Sequence, residues 1–313
     1  MFINFPSCRL FLAGRKGNNN LNKQYPENPI KFKRPMRFTD GMLIDIHCHL
    51  DHYYFDKDRD KVVENARKNN LKVILTAGIN PETNRKSLLL AEKYNIVKPC
   101  LGIYPVQTLQ KEIESGDYPL NENKFDIDRE ISLIQKNNGR ISAIGEVGLD
   151  YSMGEGPKAQ KELFQKMISL AEKMDKPIIV HSRKAEPDAV EILQSSKLKK
   201  VIMHCFCGKK RLVNKIIDNG WFLTAPTSIM KSRQFQENAL LCPITQLFCE
   251  TDAPYLSPYK EAASLKKRNA PGLMENRNEP AFVIESYRKI AEIKGMDLNE
   301  VINNIWMNWQ RAF

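Results

Sequence analysis

Eight short apolar runs, starting about 29 residues apart on average and separated by longer amphipathic stretches, leave this chain few folds to choose from. The runs are Leu43 to His47, Lys72 to Ala77, Val97 to Ile103, Ile141 to Gly145, Pro177 to His181, Lys200 to His204, Trp221 to Ala225 and Gln246 to Glu250. The clearest helical pattern lies at Lys158 to Met174, where Leu163, Phe164, Met167, Leu170, Ala171 and Met174 form one core-facing stripe. Strands that alternate with helices call for right-handed crossovers and a parallel sheet. Eight such units over some 270 residues fit an α/β fold of the closed (β/α)8 TIM-barrel type better than an open sheet. Two further helices, near Pro280 to Lys294 and Asp297 to Arg311, would complete the outer ring, the last packing through Leu298, Val301, Ile302, Ile305, Trp306 and Trp309. No internal repeat is visible, and Gln107 to Asp126 reads as a long, partly ordered insertion.

The five histidines are His47, His49, His52, His181 and His204, and four of them stand at the C-terminal end of an expected strand. His47 and His49 lie two residues apart, so their imidazoles leave an extended chain on the same side. One histidine at a strand end is more often a packed core residue than a ligand; four coinciding there is not a chance pattern. Glu146 ends the fourth run and Asp252 follows the eighth. A barrel collects the C-terminal ends of its strands on one face, where barrel enzymes carry their sites, so all six side chains would meet in one mouth. Four imidazoles and two carboxylates without a needed thiolate suit a borderline or hard divalent ion such as Zn, Mn, Mg, Co or Ni. Six ligands exceed what one catalytic ion takes while keeping an open position, so two ions are expected, with the two-oxygen carboxylate of Glu146 between them.

Composition sets the surroundings. The chain has 313 residues, 42% hydrophobic and 27% charged, enough for a full core. Its formal charge of +11 is uneven: residues 1–41 carry eight Lys/Arg against Glu27 and Asp40, a net of +6, leaving +5 for residues 42–313. That balance permits a phosphate-rich partner without demanding one. Residues 1–41, with Asn18 to Asn20 and Pro26, Pro29 and Pro35 but no periodicity, read as a disordered or loosely attached extension; with no acidic residue before Glu27 it is either an organelle-targeting segment or, the plainer reading, incidental, with Met42 as the natural first residue. No run reaches the roughly 18 apolar residues of a membrane span, and no clean signal peptide is present, so a cytoplasmic protein is expected. The seven cysteines are scattered through apolar runs, as in a reducing compartment, and Cys205-Phe206-Cys207 is a poor match to zinc-site spacing.

The blocks Asp45-Ile46-His47-Cys48-His49-Leu50-Asp51, Gly145-Glu146-Val147-Gly148-Leu149-Asp150-Tyr151, His181-Ser182-Arg183, His204-Cys205-Phe206-Cys207-Gly208, Glu250-Thr251-Asp252-Ala253-Pro254-Tyr255-Leu256 and Arg277-Asn278-Glu279-Pro280 together resemble the TatD family of metal-dependent deoxyribonucleases, in the amidohydrolase-like barrel group. The resemblance spans about residues 42–313, with the blocks in family order. It implies that His47, His49 and Asp252 hold one ion, His181 and His204 the other, and that Glu146 bridges them. It also implies 3′–5′ exonuclease action on DNA, on single-stranded ends, by a hydroxide activated between two metals, with Asp252 taking the proton of the attacking water. One departure stands out: many members have Gly-x-His-Pro after the third strand, whereas this chain has Gly102-Ile103-Tyr104-Pro105. Tyr104 donates a hydrogen bond but does not become cationic near neutral pH.

Around this centre Arg183 is expected at the rim, where its guanidinium can pair with a phosphate, or else with a surface carboxylate. Lys209, Lys210 and Arg211, with Lys231 and Arg233, would guide a nucleic-acid backbone or simply be solvated. Phe206 and Tyr255 would stack on a terminal base, or pack in the core. The competing enzyme reading keeps the metals and changes the substrate to a small ester, lactone, amide or D-aminoacyl-tRNA. A bridging carboxylated lysine would favour that chemistry, and Glu146 occupies the bridging place instead. A non-catalytic barrel would need a broken ligand set, and all six ligands are present. A monomer is the simplest assembly.

Overall fold

The computed structural model describes residues 42–105, 125–152, 156–259 and 277–313. The extension at 1–41 and nearly all of Gln107 to Asp126 therefore lie outside the described residues. Eight strands form one parallel sheet in the order of the chain: β1 (Leu43–Cys48), β2 (Leu71–Ala77), β3 (Val97–Leu101), β4 (Ala143–Gly148), β5 (Ile178–His181), β6 (Val201–Met203), β7 (Phe222–Pro226) and β8 (Leu247–Glu250). β1, β4, β5, β6, β7 and β8 are buried at every residue, the condition of a parallel sheet covered on both faces.

The helices between them are α1 (Arg59–Lys68), α2 (Pro81–Lys93), α3 (Ile127–Lys136), α4 (Pro157–Met174), α5 (Glu186–Gln194), α6 (Lys210–Asp218) and α7 (Arg233–Leu241), followed by α8 (Ile284–Lys294) and α9 (Leu298–Ala312). α2 shows how such a helix is started locally. The Asn80 side chain accepts from Thr83 N, the Thr83 hydroxyl accepts from Asn80 N, and Pro81 takes the first helical position, where no amide hydrogen is needed. On α4 all six residues of the expected stripe are buried. Val301, Ile302 and Ile305 bury the inner face of α9, while Leu298, Trp306 and Trp309 pack against the core from its margin.

The β1/β8 seam is closed by mixed means. Past the strand ends, Asp252 N donates to His47 O (2.9 Å) and His49 N to Ala253 O (2.7 Å). Deeper in, the buried Asp45 carboxylate accepts from Thr251 N and from its hydroxyl, at 2.9 and 2.5 Å. The Tyr287 hydroxyl, brought in by α8, accepts from Ile44 N and donates to Ile44 O, both at 3.1 Å. Groups that a continuous ladder would have paired are thus satisfied by side chains.

Two irregularities matter for the site. The register slips between Asp45 and Cys48 on β1, and between Ile144 and Val147 on β4. His47 and Glu146 sit within these bulges, which re-aim a side chain out of the strict alternation. The fourth strand accordingly starts two residues later than Ile141 and runs on through Glu146 to Gly148, so Glu146 is not the residue beyond its end. Apolar patterning locates a strand but carries no sign of a bulge inside it. Among the described residues no helix is long and apolar enough to cross a membrane.

Candidate metal centre

β1, β4, β5, β6 and the turn after β8 deliver His47, His49, Glu146, His181, His204 and Asp252 to one end of the barrel. All six are nearly or fully buried, with 0–8% of their surface exposed. The His47 and His49 rings meet edge to face at 5.1 Å, and His47 stacks on His204 at 3.8 Å. Glu146 lies in the middle. Its Oε2 is 3.5 Å from Nε2 of both His47 and His49, and its Oε1 is 2.8 Å from His181 Nδ1 and 3.9 Å from His204 Nε2. Asp252 Oδ1 closes the other side, 3.6 Å from His47 Nε2, 3.4 Å from His49 Nε2 and 4.0 Å from His204 Nε2.

The partners behind the histidines decide which nitrogen faces inward. His49 Nδ1 donates to Ala77 O (3.1 Å), and His204 Nδ1 to the Glu250 carboxylate (2.9 Å), so each presents Nε2. Glu250 is itself fixed by Thr224 Oγ1 at 2.7 Å and Cys205 N at 3.1 Å. His181 is turned the other way round: its Nε2 meets Asp150 Oδ2 (3.2 Å) and the Tyr104 hydroxyl (3.1 Å), leaving Nδ1 for the centre. Neither ring nitrogen of the fully buried His47 has a hydrogen-bond partner. Outer partners of this kind fix the tautomer and aim of metal-ligating histidines.

The donor set is therefore one that a cation fits. Four ring nitrogens with their opposite N–H committed or unpartnered converge on carboxylate oxygens, and lone pairs facing lone pairs in a dry site repel unless a proton or a positive ion lies between them. The electrostatics of these side chains record the same demand. Burial presses His49 and His204 downward, but Asp252 and Glu146 raise the first to about 9, and Glu250, Asp252 and Glu146 raise the second to about 10. Burial would lift Glu146, yet the hydrogen bond from His181 and the nearby His47 ring hold it well below the usual carboxylate range. His47 is lowered, by burial first and by the neighbouring His204 second. Three overlapping groups of potential ligand atoms, His47–His49–Glu146, His47–His204–Asp252 and Glu146–His181–His204, each span less than 4.8 Å.

The family description "TatD related DNase" matches residues 44–313. The chain belongs to the TatD family. It is 34% identical over 284 residues to deoxyribonuclease TATDN3 of Homo sapiens, covering 89% of this chain and 97% of that one. To the uncharacterised metal-dependent hydrolase YabD of Bacillus subtilis it is 30% identical, covering 87% and 99%. A TatD-family hydrolase structure from Entamoeba histolytica shares the barrel with a TM-score of 0.72 at 24% identity, over 87% of this chain and 98% of that one.

In this TatD-family chain the residues expected to touch substrate fare unequally. Tyr255 stays at the mouth, its ring 6.0 Å from His49. Lys209, Lys210, Arg211, Lys231 and Arg233 are exposed, and Arg233 pairs with Glu237 at 2.8 Å. Phe206 is a correction: at 1% exposure it is a core residue with no face free for a base, packed where a Cβ on Gly208 would come within 2.3 Å of its ring. Arg183 is another. Its Nε and Nη2 turn inward, 2.6 and 2.5 Å from the buried Asp150 Oδ2. Tyr104 points its hydroxyl at the same oxygen, 2.6 Å away, and at His181 Nε2, 3.1 Å away, with 7% of its surface exposed. His52, the histidine outside the cluster, caps a turn by accepting from Tyr54 N on its Nδ1 (3.1 Å), and burial holds it neutral with a pKa of about 3.

Sequence reading passed over Asp150, Glu250 and Gln160 as working residues. Glu250 precedes Asp252 by two and so shares its side of the chain, a signal that was present. Gln160, fully buried on α4, accepts from Asp150 N (2.7 Å) and donates to Asp150 O (2.8 Å), and nothing local announces a clamp formed across ten residues. Arg277 and Asn278 of the last family block are structural: Arg277 ties to Tyr54 O and Asp58, and Asn278 to Thr227 Oγ1 and Thr251 O.

Proposed function

We propose that this TatD-family hydrolase is a deoxyribonuclease that removes nucleotides from the 3′ ends of DNA, single-stranded ends in particular, using two divalent ions. The observation that carries the reading is the posture of Glu146, whose two oxygens turn to different histidine pairs, Oε2 to His47 and His49 and Oε1 to His181 and His204. His47, His49 and Asp252 would hold one ion, His181 and His204 the other, with Glu146 shared. Bound there, divalent ions act as Lewis acids on a phosphodiester oxygen and lower the pKa of water toward about 7.

The chain's own groups supply the rest. Asp252, with Oδ1 among the Nε2 atoms of His47, His49 and His204, accepts the proton of the attacking water. Glu250 and Asp150 keep His204 and His181 in fixed tautomers, so no ring has to reorient as charge builds. Tyr255 stands beside His49, and the exposed Lys209, Lys210 and Arg211, at the start of the helix that follows His204, would draw in a phosphate backbone. The family description and the name of the human relative support DNA over other phosphodiesters. The six described cysteines, all free, suit a reducing compartment such as the cytoplasm, and a monomer suffices for a site built within one barrel.

The test is digestion of end-labelled single-stranded DNA by protein reconstituted with Mg, Mn or Zn, beside Glu146→Gln and Asp252→Asn. Stepwise shortening from the 3′ end, reduced at least about 10³-fold in both variants, is expected of groups placed at the reacting centre. A metal-loaded wild type that leaves DNA intact while hydrolysing an aryl ester or an aminoacyl-tRNA replaces this reading with the carbonyl-hydrolase one.

A further inference from the structure

We propose that Tyr104 is a positioning residue for the second ion: with Asp150 and Arg183 it locks the His181 ring so that Nδ1, and not Nε2, is presented to Glu146. The inference rests on His181 being a ligand and goes beyond that reading by naming what makes it one.

Asp150 Oδ2 is the hub. It receives the Tyr104 hydroxyl (2.6 Å), Arg183 Nε (2.6 Å) and His181 Nε2 (3.2 Å), while Oδ1 accepts from Ser152 N (2.8 Å). Gln160 clamps the backbone of Asp150 on both its N–H and its C=O, which fixes the point from which the carboxylate reaches these partners. The Tyr104 hydroxyl gives its proton to Asp150, which leaves its oxygen lone pairs to accept from His181 Nε2 3.1 Å away. The Nε2–H of His181 is thereby held by two acceptors at once, and Nδ1 is the only ring nitrogen free to face Oε1 of Glu146 at 2.8 Å.

The choice of a phenol has an electrostatic reason. Arg183 already cancels the charge of Asp150, and a second cation at position 104 would set a positive charge against the ion's place. A neutral donor holds the ring without that repulsion. Tyr104 is anchored independently of its hydroxyl, through Tyr104 N to Ile79 O (2.9 Å) and through its buried ring 4.9 Å from that of His181. Tyr104→Phe therefore removes the hydrogen bonds and keeps the packing.

The experiment is calorimetric titration of metal-stripped wild type and Tyr104→Phe with Mn²⁺, beside thermal unfolding and long-range ¹H–¹⁵N spectra of the zinc-loaded proteins. In wild type two ions bind, and His181 is the ring ligated through Nδ1, with a slowly exchanging Nε2–H. In Tyr104→Phe one of the two Mn²⁺ steps weakens about 10–100-fold, the usual cost of losing a ligand's outer partner, while the other holds. The His181 Nε2–H exchanges faster, and the Tm without metal barely moves. Unchanged affinity for both ions in Tyr104→Phe overturns the proposal, as does a rise in KM for DNA with Mn²⁺ binding intact, which would make Tyr104 a substrate contact. If the variant does not fold, the wild-type spectrum still decides: ligation of His181 through Nε2 sinks the idea. Wild type that binds no divalent ion sinks the metal reading itself and this proposal with it, an outcome distinct from two bound ions unaffected by the substitution.

Discussion

His204 shows how much of a candidate ligand's behaviour is set from behind. Its Nδ1–H donates to Glu250, which is buried completely and held by Thr224 and the Cys205 amide. Burial alone would raise the Glu250 pKa, and the His204 charge lowers it instead, so the pair behaves as a fixed dipole aimed at the centre. Glu250→Gln keeps an acceptor of similar shape but removes the charge. Divalent-ion affinity is expected to fall about 10-fold, at the low end of the effect of losing such a partner, with nuclease rate falling at limiting metal and recovering at saturating metal. Equal affinity in wild type and variant, measured by Mn²⁺ titration, would show that the charge behind His204 is dispensable. The convergence of the histidines was legible because they are few and stand at strand ends. Their tautomers were not, because each depends on a residue from another strand: Ala77, Asp150 or Glu250.

At the level of elements, the barrel seam joins parts distant in sequence. Tyr287 on α8 pairs both backbone groups of Ile44 on β1, 243 positions away. Tyr287→Phe leaves a buried N–H and a buried C=O without this partner, at about 1–3 kcal/mol each. We expect a loss of about 2–4 kcal/mol in urea unfolding, and a loss under 1 kcal/mol would mean that the seam re-pairs directly. Gly148, at the end of β4, is constrained in another way. Its φ of +138° is a region that side chains avoid, and a Cβ there would lie 2.0 Å from His181 O. Gly148→Ala should push β5 and its histidine outward, lowering both Tm and metal affinity; normal values of both would count against this tight fit.

Across the whole molecule, four imidazoles and their carboxylates tie stability to protons and to metal. His49 and His204 have folded values of about 9 and about 10 against 6.5 when free, so the stability they contribute is complete below pH 6.5 and is lost as pH rises through those values. Glu146 and Glu250 are held below 4.5, so theirs is present above that value and lost as the solution is acidified further. His47, lowered from 6.5, weakens the fold only at the acid end. In excess chelator the Tm should therefore be highest near pH 5–6.5 and fall steadily toward pH 10. Divalent ions should raise Tm more at pH 8 than at pH 6, because they displace the retained protons. A Tm in chelator that is flat or rising between pH 6.5 and 10 would contradict the protonated bare site. The sequence by itself determined the eight-unit barrel and the convergence of six candidate ligands, because burial in a parallel sheet writes continuous apolar runs and a barrel carries every strand end to one face. Only the tertiary structure decided the bulges at His47 and Glu146, the inward turn of Arg183, the burial of Phe206 and the place of Tyr104 behind His181. The last depends on which groups from separate elements share the buried Asp150 carboxylate, and the rest on how neighbouring strands and helices pack, none of which a local pattern in the chain records.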